Sequence, residues 1–206
     1  MTFPDVDDHE VVFREGSKGA YGIINHLISP RAIAWVVSRS VDGVDNLAPH
    51  SYVTVASTDP LVVAFTSMGH KDTLRNIQAT KEFVVCGVSQ ELRDKANRTG
   101  AAYPPEVSEI DEVGLTREPS FTISTPRVRE SPFAIECRLR EVVPVGNASM
   151  ILGDVTCMAV RRENLVDGRV AGLSMNLVGR GGGDDWFGLG ERWSIPRVVL
   201  GERSSS

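Results

Sequence analysis

The apolar residues of this chain come in short, β-branched runs that each end at a turn-forming residue. Residues 32–38 read A-I-A-W-V-V-S, and Asp42-Gly43 then supplies a turn whose positive-φ position suits glycine. Residues 50–57 read H-S-Y-V-T-V-A-S; Asp59-Pro60 breaks the pattern before L-V-V-A-F-T-S at 61–67. E-F-V-V-C-G-V follows at 82–88, and two long strand-like stretches, 133–143 and 149–161, face each other across Val145-Gly146-Asn147, a hairpin. Helical signals are fewer. In D-T-L-R-N-I-Q-A-T (72–80) Leu74 and Ile77 lie one turn apart, and S-Q-E-L-R-D-K-A-N-R (89–98) opens on a capping serine with Glu91 and Lys95 at i, i+4. Strands outnumber helices and do not alternate with them, so a doubly wound parallel sheet is disfavoured. Six or seven antiparallel strands with two or three short helices predict a mainly β fold, a closed or split barrel.

Charge and cysteine usage narrow the function. Twenty-two basic against 27 acidic residues leave a net charge of −5, the wrong sign for a phosphate-backbone binder, so no nucleic acid is expected. Cys86, Cys137 and Cys157 are widely spaced in apolar runs with no C-x-x-C and no histidine pair at zinc spacing. They read as buried structural thiols of a reducing compartment, and no metal site is expected. The acidic N-terminal ten residues lack an apolar signal core, and no stretch approaches the roughly 18 apolar residues of a membrane span. The expectation is a cytoplasmic protein that engages no membrane, one domain over 1–206 with a glycine-rich extension from about 176. Residues 204–206 are expected to fray.

Three segments carry candidate chemistry. In S-M-G-H-K-D-T-L-R-N (67–76) a strand ends, a glycine turns and a helix begins. Helix N-termini present unpaired N–H groups and partial positive charge, a ready anion site, to which Lys71, Thr73 and Arg75 add donors and cations. An ordinary Asp-capped helix with solvated charges reads the same residues equally well. Along 46–57 small polar and apolar residues alternate; Ser51, Val53, Val55 and Ser57 share one strand face, and His50, Tyr52, Thr54 and Ala56 the other. Hydroxyls beside an apolar wall suit a flat heteroaromatic ring, whereas a strand with one solvent face is the plain alternative. Residues 99–119 contain Pro104, Pro105, Pro119 and an acidic stretch at 106–112, and form either a solvated excursion or the cover of a site. No hydrolytic triad, nucleophile elbow or carboxylate pair is evident. The glycine cluster at 179–183 has no Lys-Ser/Thr after it; it is no P-loop, and taken alone it reads as a linker.

Taken in order, the segments resemble the flavin reductase-like family with the FMN-binding split-barrel fold. The resemblance rests on Ser29-Pro30-Arg31-x-Ile33-Ala34, Asn46-Leu47-Ala48-Pro49-x-Ser51, Ser57-x-x-Pro60 and Lys71-Asp72-Thr73-Leu74-x-Asn76-Ile77. It continues through Glu82-Phe83-Val84-Val85, Tyr103-Pro104-Pro105, Ser131-Pro132, Glu136-Cys137 and Gly179-Arg180-x-Gly182-Gly183, spanning about residues 20 to 195. The resemblance implies a homodimer of split barrels, each holding one FMN without a covalent bond. It places Asn46, Ala48, Ser51 and Ser57 along the flavin, with Tyr52 and Thr54 on the same segment. Lys71, Asp72 and Thr73 fall around the phosphate, the Thr73 hydroxyl as a donor to it. Arg31 and Arg180 lie near the cofactor or close the dimer around it, since the sequence offers the glycine-rich tail no partner in its own chain. The implied activity is that of a flavoprotein oxidoreductase, an NAD(P)H-dependent flavin reductase, passing electrons to a small-molecule acceptor or a partner oxygenase. The alternative is a flavin-binding module without turnover, serving as carrier, sensor or electron-transfer partner.

Overall fold

A computed structural model describes residues 11–197; the N-terminal ten residues and the serines at 204–206 lie outside the described residues. Seven strands form one antiparallel sheet: β1 (Ala34–Arg39), β2 (Asp45–His50), β3 (Val53–Thr58), β4 (Leu61–Met68), β5 (Glu82–Cys86), β8 (Phe133–Val145) and β9 (Ala148–Val160). Two short strands, β6 (Arg117–Glu118) and β7 (Arg127–Val128), pair with each other between β5 and β8 in sequence. The order across the large sheet is β2-β1-β5-β8-β9-β4-β3. Its two edges, β2 and β3, are consecutive in sequence and joined only by Ser51 and Tyr52. The three Cα–Cα steps from His50 to Val53 reach at most about 11 Å, so the sheet must curl until its edges come together at that corner. There the Tyr52 carbonyl accepts the Thr66 amide of β4 at 2.8 Å, and the His50 ring lies tilted against Phe65 at 4.9 Å. The result is the expected split β-barrel. Register shifts in the long β8–β9 ladder, at Glu136/Cys137 and Leu139/Glu141, are the bulges that bend it into the curve.

The sequence runs place these strands closely, and the Gly146-Asn147 turn joins β8 to β9 as expected. Gly43 takes φ 87° in the β1–β2 turn. One expected element does not form: 50–57 is two strands, broken where the barrel turns its corner, so its residues do not alternate across one pair of faces. The helices are α1 (Ala20–Leu27), α2 (Asp72–Thr80), α3 (Arg93–Arg98) and α4 (Glu109–Glu112), of which α1 and α4 were not legible in the sequence. Among the described residues no helix is long and apolar enough to cross a membrane.

Both faces of β1 are buried, which explains its unbroken apolar run. Ala34 and Val36 join Phe65, Phe83, Ile151 and, from α2, Leu74 and Ile77 in one cluster; Trp35 and Val37 join Leu47, Val84, Cys86, Ile110 and Val113 in a second, outside the first. A side chain at Gly153 of β9 would collide with the Phe83 ring, so only glycine lets that ring reach the barrel wall. The second cluster fixes the 99–119 excursion against the barrel. Trp35, fully buried, donates its indole N–H to Thr99 Oγ1 at 2.8 Å, and Ile110 and Val113 carry α4 down onto β2.

Candidate functional site

A cleft of about 260 Å³ opens where three elements converge: the end of β2 (Asn46, Ala48, Pro49, His50), the start of α2 (Lys71, Asp72, Thr73 and the preceding His70), and the excursion (residues 99–103 and Glu109). The excursion therefore forms one wall of this cleft. Helix α2 begins at Asp72 after Lys71 in the N-cap position, with no side chain capping it, so the amides of its first turn keep their donors free of intrahelical partners. Asp72 is paired with Arg75 at 2.6 Å, while the Lys71 side chain is exposed at the rim.

The floor of the cleft is a buried polar chain. Thr73 Oγ1 donates to Asn46 Oδ1 at 2.9 Å and lies 3.4 Å from His50 Nε2. Asn46 Nδ2 donates to Glu109 Oε1 at 2.8 Å, and the Leu47 amide to Glu109 Oε2 at 2.8 Å. Burial, reinforced by the nearby Lys71 charge, drives the His50 pKa down to about 4, so its ring is neutral at physiological pH. Burial likewise raises the Glu109 carboxyl, against the two hydrogen bonds that favour its charge.

Of the eleven residues singled out from sequence, the fold brings Asn46, Ala48, Lys71, Asp72 and Thr73 together here. The Thr73 side chain is buried and its hydroxyl donates to Asn46. Arg31, Ser51 and Tyr52 form a separate group at the barrel corner. Arg31 is buried; its guanidinium donates to the carbonyls of Asn25, Ile28 (2.8 Å) and Gly181 (2.7 Å) and to Ser51 Oγ (3.3 Å), and sits 5.7 Å from the Tyr52 ring centroid. Tyr52 donates its hydroxyl to Asn25 Oδ1 at 2.9 Å. The backbones of Arg31 and Arg180 pair through two 2.8 Å hydrogen bonds. Arg180 reaches the carbonyls of Gly183 (2.8 Å) and Asp185 (3.3 Å) and packs on Trp186. The glycine-rich tail, expected to lack a partner in its own chain, is thus docked on the barrel by two arginines. Thr54 is exposed on the edge strand β3, and Ser57 Oγ accepts the Asp59 amide at 3.3 Å; neither reaches the cleft.

Cys86 and Cys137 are buried, Cys157 is half-buried, and all three are free thiols. Burial pushes the Cys86 and Cys137 thiols up to about 11 and about 12, which keeps them protonated and unreactive. The sequence missed Glu109, whose acidic surroundings hid it; the signal was the apolar Ile110, Val113 and Leu115 interleaved with the charges, which mark a docked segment.

This fold belongs to a defined class. The family model of the flavin reductase like domain matches residues 27–174, and the chain belongs to that family. It is 38% identical over 145 residues to an uncharacterised protein of Aquifex aeolicus, covering 68% of this chain and 74% of that one. It is 32% identical over 197 residues to an uncharacterised protein of Halalkalibacterium halodurans, covering 90% and 94%. Among solved structures, component B of nitrilotriacetate monooxygenase from Bacillus cereus superposes with a TM-score of 0.87 at 27% identity, over 91% of this chain and 100% of that chain. The 2-nitrobenzoate 2-nitroreductase NbaA of Pseudomonas fluorescens gives 0.82 at 29% identity, over 90% and 94%.

Proposed function

We propose that this protein binds FMN without a covalent bond and acts as a cytoplasmic NAD(P)H-dependent flavoprotein oxidoreductase of the flavin reductase type. The observation that carries this reading is the uncapped first turn of α2, opening with Lys71 beside it onto a polar cleft. Free amides, a helix dipole and a lysine fit a phosphate dianion. Lys71 and the N–H groups of Asp72 and Thr73 would hold that end of FMN, and Asn46 and Ala48 would line the path of the ring. Bound there, the flavin supplies reversible two-electron chemistry that side chains lack. The chain's own part is to bind, orient and exclude water. Asn46 is locked by its partners, and the neutral His50 adds no charge to the cleft floor. Membership of the flavin reductase like family and the likeness to a nitroreductase and a monooxygenase component support electron delivery to a small-molecule acceptor or a partner oxygenase.

The test is direct. FMN added to the purified protein should be retained through gel filtration, and anaerobic mixing with NADH or NADPH should bleach its absorbance. No retained flavin overturns the reading. Retained flavin that neither nucleotide bleaches makes the protein a carrier, sensor or electron-transfer module instead.

The reading includes a homodimer. At about 260 Å³ the cleft is smaller than the roughly 300–1,000 Å³ typical of sites that enclose a ligand, so a second copy has room to complete it. Large apolar side chains are exposed on α1 (Tyr21, Leu27) and at its C-cap (Ile28), on edge strand β3 (Val55) and on the C-terminal arm (Trp193, Ile195), surface that a second copy could cover. Sedimentation equilibrium at micromolar concentration with FMN present should give twice 22.4 kDa. A monomer there would count against the dimer.

A further inference from the structure

We propose that Glu109 is a positioning residue of the cleft, acting through Asn46 on the first turn of α2; the inference rests on the flavin reading above for its ligand. Glu109 is 5% exposed, and each of its carboxylate oxygens takes one hydrogen bond from β2: Oε1 from the Asn46 side chain, Oε2 from the Leu47 amide, both at 2.8 Å. A carboxylate only accepts, so it decides which way the Asn46 amide points. With Nδ2 turned to Glu109, Oδ1 faces Thr73 Oγ1 at 2.9 Å and Ser38 Oγ at 3.3 Å, both of which donate to it. Rotated the other way, the Asn46 carbonyl would meet the carboxylate, whereas the Thr73 and Ser38 hydroxyls can accept as well as donate and so impose no direction of their own. Glu109 thereby fixes Asn46, and Asn46 fixes the Thr73 side chain, whose backbone N–H belongs to the α2 terminus.

Other contacts besides Glu109 anchor α4. Arg117 binds both oxygens of Asp111 (2.6 and 2.8 Å) and Ser108 Oγ (2.8 Å), and its Nε reaches Asp45 Oδ2 (2.8 Å), which Arg39 also holds. Ile110 and Val113 pack in the adjacent core. A buried carboxylate is expensive to keep, and here one of its two bonds goes to the Asn46 side chain in the cleft wall and the other to the Leu47 amide beside it. Glu109→Gln is not conservative at this place: its amide oxygen can still accept the Leu47 N–H, but its NH2 then faces the Asn46 side-chain NH2, so the orientation of Asn46 is what the substitution disturbs.

The test is a double-mutant cycle of Glu109→Gln and Asn46→Ala, read as FMN affinity by flavin fluorescence. E109Q alone should weaken FMN by about ten-fold, the scale of one hydrogen bond to a charged group, and should add less than about two-fold in the N46A background. Losses that multiply in the double variant would overturn the proposal, since Glu109 would then act independently of Asn46. A ligand-free measurement on the unmodified protein stands beside it, whether or not E109Q folds. One of the two Asn46 side-chain amide protons, assigned by its disappearance in N46A, should exchange slowly with solvent. Exchange of both at the rate of an exposed asparagine would overturn the proposal as well. Failure of the unmodified protein to bind FMN would sink the flavin reading alone and leave Glu109 to be judged by the exchange rates.

Discussion

Lys71→Ala should weaken FMN about ten-fold and leave riboflavin, which has no phosphate, within about two-fold. A hydrogen bond to a charged group contributes about 1.5–3 kcal/mol, on the order of 10- to 150-fold in affinity. Lys71 stands exposed at the rim of the cleft, so solvent screening draws the expectation to the lower end. The α2 amides remain in the variant, because Lys71 contributes only backbone to the helix start: its carbonyl accepts the Arg75 amide at 3.1 Å. Residual FMN preference over riboflavin therefore measures the helix terminus alone. Raising salt should weaken FMN binding by the unmodified protein more than by the variant, since the screened charge is the one removed. A fluorescence titration of both proteins with both flavins reads all of this. Equal losses for FMN and riboflavin would mean that Lys71 acts on the fold or the ring, and the phosphate end of the site would have to be placed elsewhere.

What the sequence revealed and what it hid divide along a physical line. Local signals were legible. Gly43 and the Gly146-Asn147 turn punctuate strands, and Leu74 and Ile77 at helical spacing give α2 its buried face, so these elements form where their residues predict. Features created by closure were not. The break at Ser51-Tyr52 exists because two sheet edges must meet there, a constraint that no window around 50–57 contains. The sequence spelled both Arg31 and Arg180 but could not show that residues so far apart pair backbone to backbone and bind the tail to the barrel. Direction was hidden too. Thr73 lies at the expected helix start, yet its hydroxyl points to Asn46 because the β2 wall stands on that side. Helix α1 left no clear signature because its stability comes from outside it: Arg31 ties down its carbonyls, and Asn25 alone of its residues is buried.

The second large effect concerns acid. The ligand-free protein should lose about 3 kcal/mol of stability between pH 6.5 and pH 4 through His50 alone. Burial first, and the Lys71 charge second, lower the His50 pKa from 6.5 to about 4. Above pH 6.5 the ring is neutral in both the folded and unfolded chain, and the native packing against Phe65 and Thr73 is undisturbed. As pH falls below 6.5 the unfolded chain takes up a proton that the folded one refuses, and stability drops. Below about 4 both states are protonated and this contribution levels off. The gap of about 2.5 units corresponds to about 3 kcal/mol, or roughly 6–12 °C in Tm for a chain of this size. Carboxylates held low by arginine, such as Asp111 beside Arg117, lose their contribution at more acid pH, and they do so in any variant. His50→Gln keeps a polar group within reach of Thr73 but has nothing to titrate, so its melting temperature should change little over the same window. Thermal melts of both proteins at half-unit steps from pH 7 to pH 4 separate the two behaviours. Parallel curves would show that His50 is charged or solvated in the folded protein, and the neutral floor assigned to the cleft would fall with it.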